Sequence, residues 1–566
     1  MSTDVRAKPP DVAGSSLRDI VLAAAMKILD REGLHLAPES ISYAKVFAHV
    51  EETTGVRVTR GSVHERIWAS HDDFRREVLE ELMVRSLAPN EVIISTEREA
   101  LLRESARTAD DQHGVQVAIL KLLSEWSLHQ VEESDTYRQI QSAKAIVTRF
   151  NDPVAAARMK KTLEVRTDRR LDDLRGLFID QVRTLGLRVK PELGLTIEEV
   201  SDFAYSAGWA LMSGSFLNNG AGCRHVLHTV DGAFGGPDDG MPWQVFSLGH
   251  RSLFEFFIEP DPTVPWPVRP DGPGDDPSTT AFTPDQKDVQ SAGAVTADDS
   301  ANDDEPRSTD QGAKRRTRGE LKQLVLNGGV ETLQDLGLNV RPESLSYAAV
   351  FAQVYADHGL VVNRASVHKR FWSSHDEFCM DVMGLALRKG LEPDPVLLAE
   401  VAALPNEVGR GESKQQLASD ALRTIGRFSF EPMMKSREMR CRMLVKSAIP
   451  DQPDSESRRV LEELVVKIEF GMVSRLAAML REKVVDLGYT VRPEFQLSEE
   501  RALQVIAILI HIMSVGSSFE QLVGGTRDEN HVMLPRRIGA ADSDEWSQSA
   551  ITGRAAFEML FQPVGG

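Results

Sequence analysis

Gly33–Val78 reads GLHLAPESISYAKVFAHVEETTGVRVTRGSVHERIWASHDDFRREV, and Gly337–Val382 reads GLNVRPESLSYAAVFAQVYADHGLVVNRASVHKRFWSSHDEFCMDV. The two stretches run at a constant offset of 304 residues without a gap, and about half of their positions are identical. The likeness resumes late in each half, where LGLRVKPELGLTIEEV from Leu185 pairs with LGYTVRPEFQLSEERA from Leu487. It then reaches Phe254-Glu255 against Phe557-Glu558. Self-similarity in a fixed order means one structural unit written twice, so each half is one unit of roughly 240 residues.

Between the halves the composition changes. Glu259 to Asp310 holds 13 acidic residues against Arg269, Lys287 and Arg307, and is rich in Pro, Gly, Ser and Asp. Such a segment buries too little apolar surface to fold, so it reads as a disordered linker. It also carries about half of the formal net charge of -19. Charge acts over roughly a Debye length of 8 to 10 Å, so the folded parts are only mildly acidic and a nucleic-acid partner is not excluded. The N-terminus lacks the layout of a signal peptide. The three cysteines, Cys223, Cys379 and Cys441, have no paired spacing, which fits a reducing, cytoplasmic compartment. The most apolar run, Val505 to Val515, is interrupted by His511 and is shorter than the roughly 20 residues of a membrane span. It reads as a buried helix, with no membrane partner.

Within one unit, Leu17, Ile20, Val21, Ala24 and Ile28 recur at helical spacing up to Gly33. Tyr43, Val46, Phe47 and Val50 follow at i, i+3, i+4 and i+7, after Ser40 and Ser42 and before Gly55. Thr59, replaced by Asn363 in the second copy, is an N-cap type before a short third helix with Val63 and Ile67 on one face. Ser70 with Asp73, and Ser374 with Glu377, start a longer fourth helix in S-x-x-D/E spacing. Helical patterns continue through Leu171–Leu185 and Val465–Leu487, and strand alternation is nearly absent. The fold class is all-α. Gly328 and Gly329 fall inside the second copy's first helix, each costing about 1 kcal/mol relative to Ala.

Three short helices with a Gly-containing turn between the second and third form a helix-turn-helix layout. The string also resembles the tetracycline-repressor family of transcriptional regulators. The resemblance rests on helix one ending at Gly33, Gly55-Val56 at the turn, Gly61-Ser62-Val63 in the third helix and Trp68-Ala69-Ser70-His71-Asp72-Asp73-Phe74 at the start of the fourth. Trp372 to Phe378 supplies the last string in the second copy. Two departures are evident: the interval from Gly55 to Trp68 is longer than the family's, and His71 and His375 stand where it commonly has Lys. The resemblance implies a head that reads double-stranded DNA and a larger helical part for regulation and dimerisation. The implied layout is a disordered tail over 1–14, a first head over 15–82 and a first regulatory part over 83–258. The linker over 259–317 ends in a basic arm, followed by a second head over 318–386 and a second regulatory part over 387–566.

With Val63 and Ile67 inward, a helical rotation of about 100° per residue turns Gly61, Ser62 and Glu65 outward, with His64 and Arg66 at the sides. The matching positions are Ala365, Ser366 and Lys369, flanked by His368 and Arg370. Arg57, Arg60 and Arg364 lie near the helix start, where they would anchor phosphates, and the N-cap residues Thr59 and Asn363 join them among the candidate DNA-binding residues. Lys314, Arg315, Arg316 and Arg318 form the basic arm, placed to reach a minor groove. Glu65 against Lys369 predicts two readers with different base preferences. Ser70 and Ser374 read as caps, and Trp68 and Trp372 as core anchors.

Cys223, His225 and His228 match no standard metal spacing, and the other copy lacks them, so no metal or other cofactor is expected. An effector ligand stays open. No nucleophile elbow, phosphate-binding glycine loop or dinucleotide fingerprint occurs, so the chain is not expected to be an enzyme. The expected assembly pairs the two halves within one chain as a pseudo-dimer, with further dimerisation left open. Ala207–Phe216 and Val505–Phe519 are expected to pack against each other, and the operator to be an imperfect palindrome. Two other readings remain: a protein-interaction scaffold that has lost DNA binding, favoured by the acidic balance and the two glycines, and a small-molecule sensor of the same fold.

Overall fold

The computed structural model describes residues 16–32, 42–64, 66–85, 175–176, 178–218, 226–228, 242–264, 317–336, 345–367, 370–389, 395–404, 413–449, 455–524, 531–533 and 545–564, with 161 and single positions between 116 and 129. The expected N-terminal tail, most of the linker, Lys314, Arg315, Arg316, Glu65, His368, Lys369, Cys223 and His225 lie outside these residues.

The described chain is mostly helical. The first half runs α1 (Leu17–Glu32), α2 (Tyr43–Thr54), α3 (Arg60–Val63), α4 (His71–Arg85), α5 (Ile197–Leu217) and α6 (Val245–Phe257). The second half runs α7 (Arg318–Leu336), α8 (Tyr347–His358), α9 (Arg364–Val367), α10 (His375–Arg388), α11 (Pro395–Ala403), α12 (Lys414–Lys435), α13 (Arg437–Ala448), α14 (Ser455–Lys483), α15 (Glu499–Gly524) and α16 (Gln548–Leu560). Ser16 and Asp19 cap α1 reciprocally, as Thr317 and Glu320 cap α7.

Strands also occur, in pieces too short for alternation to reveal. β1 (Leu187–Val189) pairs antiparallel with β4 (Ile258–Pro260), and β2 (Val226–His228) with β3 (Pro242–Gln244). The second half repeats both ribbons, β5 (Tyr489–Val491) with β8 (Phe561–Pro563) and β6 (His531–Met533) with β7 (Glu545–Ser547). Each outer ribbon ties the strand preceding α5 or α15 to the end of α6 or α16, and the Arg188–Glu259 pair at 2.7 Å crosses the first one.

Among the described residues the broadest contact between elements is that of α5 with α15. A Cβ built on Gly214 would lie 2.0 Å from the Ile512 carbonyl oxygen, and one built on Gly516 would lie 1.7 Å from that of Ala210. Backbones approach this closely only where no Cβ intervenes. Both relationships obey the offset of 302 that aligns Leu185 with Leu487: residue 210 meets 516, and 214 meets 512. Such reciprocity characterises a self-complementary two-fold contact. One apolar core then spans both halves, with Trp243, Phe246, Phe257, Leu509, Ile510, Trp546 and Phe557 in the same buried cluster. Arg251 lies over Trp243 at 5.2 Å and pairs with Glu255 at 2.7 Å, while Arg554 lies over Trp546 at 5.3 Å and pairs with Glu558 at 2.8 Å.

Two expectations need correction. The reading of Val505–Val515 as a buried helix holds, but its length does not: the helix runs from Glu499 to Gly524, and Ser517, Ser518 and Phe519 beyond the run are buried as well. Glu499–Gln521 is long and apolar enough to cross a membrane, and 94% of an apolar 18-residue window within it is buried inside the protein. Gly328 and Gly329 do not weaken α7 for nothing. A Cβ on Gly328 would meet Val354 Cγ2 at 2.6 Å, and one on Gly329 would meet Val382 Cγ2 at 2.7 Å, so the glycines let α7 seat closely on α8 and α10. The first copy has Ala24 and Ala25 at these positions, both buried.

Candidate nucleic-acid interface

Each copy of the duplicated segment, or head, builds the same turn by the same chemistry. Ser42 Oγ accepts from Lys45 N–H at 3.3 Å to start α2, and Ser346 Oγ accepts from Ala349 N–H at 3.2 Å to start α8. Gly55 and Gly359 end these helices at φ of 70° and 60°, a left-handed conformation that favours glycine. Val58 and Val362 then bury themselves and pin the extended chain. The next residues form α3 and α9.

The third helix differs from the expected one. It is a single turn in both heads, Arg60–Val63 and Arg364–Val367. His64 has extended backbone at φ -67° and ψ 134°, and the Val63 carbonyl accepts from the N–H groups of both Ile67 and Trp68. Val63 and Trp68 must both enter the core, and a continuous helix would carry them to different faces. The outward positions assigned by helical rotation therefore hold only through residue 63.

The Ser62 hydroxyl donates to the Thr59 carbonyl at 2.7 Å and accepts from Thr59 N–H at 3.0 Å, so it is engaged in the cap of its own turn. Gly61 is exposed, with nothing near its missing Cβ, and Ala365 is exposed at the matching place. Arg57, Thr59, Arg60 and Arg66 are exposed in the first head, with His64 half-buried; Asn363, Arg364 and Arg370 are exposed in the second. Ser366 lies in α9. Arg318, expected in the basic arm, is instead the first residue of α7, where it donates to the Arg370 carbonyl and lies over the Phe371 ring at 5.7 Å. Arg364 lies over Tyr347 at 5.9 Å.

Behind these side chains sits an aromatic wedge. Tyr43 stacks on Phe47 at 5.0 Å and on Phe74 at 4.8 Å, and Trp68 meets Phe74 at 4.8 Å. Tyr347, Phe351, Trp372 and Phe378 repeat the wedge. His71 packs on Tyr43, and His375 Nε2 bonds the Leu345 carbonyl at 2.9 Å, so both histidines face the interior of the head. Burial pushes the Tyr43 and Tyr347 phenols up. Ser70 Oγ accepts from Asp73 N–H at 3.0 Å and Ser374 Oγ from Glu377 N–H at 3.1 Å, the caps expected from the spacing. Hydrogen bonds from Ser70 to Asp73 and from Ser373 to Glu377 hold both carboxyls below their ordinary values.

One repeated device had no motif to announce it. Trp68 Nε1 donates to Glu77 at 2.7 Å and Arg18 pairs with Glu77; Trp372 Nε1 donates to Asp381 at 2.8 Å and Lys322 pairs with Asp381 at 2.9 Å. The signal available in sequence was a basic residue and an acidic residue that each recur at the offset of 304, with Lys for Arg and Asp for Glu.

Among the described residues no group of three or more His, Cys, Asp or Glu is placed to hold a metal ion. Comparisons with family models, curated proteins and solved structures returned no match.

Proposed function

We propose that the protein is a sequence-specific double-stranded DNA-binding transcriptional regulator of tetracycline-repressor type, acting as a covalent pseudo-dimer. The observation that carries this reading is the recurrence, in two heads, of a glycine-turned and capped corner with exposed arginines over an aromatic wedge. Arg57, Arg60 and Arg66 in one head and Arg364 and Arg370 in the other present positive charge, and such side chains position a protein on phosphates before any base is read. The reciprocal α5–α15 crossing supports a two-fold arrangement, which two half-sites require; paired reading elements sit about 34 to 36 Å apart on successive turns of DNA. Since the heads differ in sequence, the half-sites differ too.

A second reading is favoured by the single-turn α3 and α9 and by the engagement of Ser62 in its cap: the heads dock a protein partner. Titration of labelled duplex DNA at several salt concentrations separates the two. The DNA reading expects log affinity to fall linearly with log salt, and Arg60→Ala combined with Arg364→Ala to lower the slope by about 2. A salt-independent or undetectable affinity would leave the docking reading.

A further inference from the structure

The second half carries charge deep inside the protein. α13 supplies Arg442 and Lys446, α14 supplies Glu469 and α15 supplies His511, and none is more than 4% exposed. Glu469 accepts from Arg442, from His511 Nε2 and, at 2.6 Å, from Lys446 Nζ. Lys446 also donates to Asn218 Oδ1 at 2.8 Å, and Asn218 is the fully buried residue that closes α5 of the first half. The cluster is incomplete in two respects. A guanidinium and an ammonium face one carboxylate, which leaves an excess positive charge. Arg442 Nε, Asn218 Nδ2 and His511 Nδ1 are buried without a hydrogen-bond partner. The first two are each two covalent bonds from an atom already bound to Glu469 or to Lys446, so the vacant donors surround the same cations. Buried unpaired charge and unsatisfied donors are both costly, and burial pulls the Lys446 ammonium down to about 8.

An apolar cluster adjoins the charges. Met439 and Met443 flank Arg442 on α13, Phe216 and Leu217 precede Asn218, and Val515 and Phe519 follow His511; all six form one buried group. Methionine and its thioether yield to an inserted chain more readily than branched residues do. The first half has Trp209 where the second has His511, and Trp209 packs on this same group, so the arrangement breaks the two-fold relation.

We infer that this cluster is a binding site for a small monocarboxylate with an apolar tail, its carboxylate held by Arg442, Lys446 and Asn218 and its tail among Met439, Met443 and Phe519. The site lies apart from the heads and stands independently of the DNA reading, and its test contains no DNA.

Calorimetric titration of the full chain with hexanoate is expected to show one saturable site tighter than about 1 mM, with hexan-1-ol giving none. Glu469→Gln removes the competing carboxylate while keeping its shape, and tightens hexanoate binding about tenfold, the scale of one buried charge interaction. Lys446→Met weakens it by at least as much. Should Lys446→Met fail to fold, the Trp209 emission of the unsubstituted chain, isolated by difference from Trp209→Phe, is expected to shift with hexanoate and not with hexan-1-ol. Equal binding of acid and alcohol, no saturable binding of either, or an unchanged or weaker Glu469→Gln would overturn the assignment.

Discussion

Two glycines and a histidine show how local surroundings set the effect of one residue. Gly61 has open space where a Cβ would go, and the second copy already carries Ala365 there. Gly61→Ala is therefore expected to change stability by no more than about 0.5 kcal/mol in urea unfolding. Gly516 is the opposite case, with a backbone carbonyl where the Cβ would be. His250 Nδ1 bonds the Phe246 carbonyl at 3.2 Å, and burial pulls the imidazole from 6.5 down to about 4. The unfolded chain takes up the proton first as pH falls, so this contribution is complete above pH 6.5 and is lost as pH falls toward 4. With some solvent access to the ring, the loss is about 2 kcal/mol. Urea midpoints at pH 6.5 and 4.5 should converge on His250→Leu substitution; an unchanged pH dependence would refute the assignment.

For a whole element, α7 shows how packing overrides intrinsic preference. Ala in place of Gly328 or Gly329 gains about 1 kcal/mol of helix propensity. It also forces a methyl against Val354 or Val382 in a filled core, at about 1 to 3 kcal/mol. Gly329→Ala is expected to lower stability by about 1 kcal/mol net, whereas Gly329→Ala with Val382→Ala should restore the fit at α7 and leave only the lost valine burial. A stabilised single variant would show that α7 has room to move. The same competition shortens α3 to one turn: Val63 and Trp68 each fill the core, and the helix yields. Reading α2 and α4 from spacing succeeded because a cap, an apolar stripe and a stop coincide locally. Reading α3 from Val63 and Ile67 failed because its end is set by Trp68 docking against Phe74 and Glu77, contacts that spacing does not contain.

At the scale of the molecule, two halves share one core through a crossing that only small residues allow. Gly516→Ala is expected to cost about 3 kcal/mol or more, since the added methyl meets the Ala210 carbonyl and neither helix can retreat without opening the core around Leu509 and Phe246. Gly214→Ala meets the Ile512 carbonyl and should cost a similar amount. A cost under 1 kcal/mol for either, from denaturant unfolding of the full chain, would be incompatible with the backbone contact seen here.

Duplication, helical class and the caps at Ser70 and Ser374 were legible in the sequence alone, with Ser42 one of two candidates, because they depend on side-chain types recurring at short or constant spacing. Ser42, Ser70, Ser346 and Ser374 each bond a backbone N–H three residues on, a relation within one turn. Arg60 and Arg364, at the first position of α3 and α9, were legible for the same reason, whereas Arg66 and Arg370 lie beyond the end of those helices. The acceptors of Trp68 and Trp372, the seat of Arg318 on Phe371, the need for Gly328 and Gly329, and the buried Arg442–Lys446–Glu469–His511 cluster joined to Asn218 all depend on which distant surfaces meet. That is a matter of packing between elements up to hundreds of residues apart, and only the tertiary structure decided it.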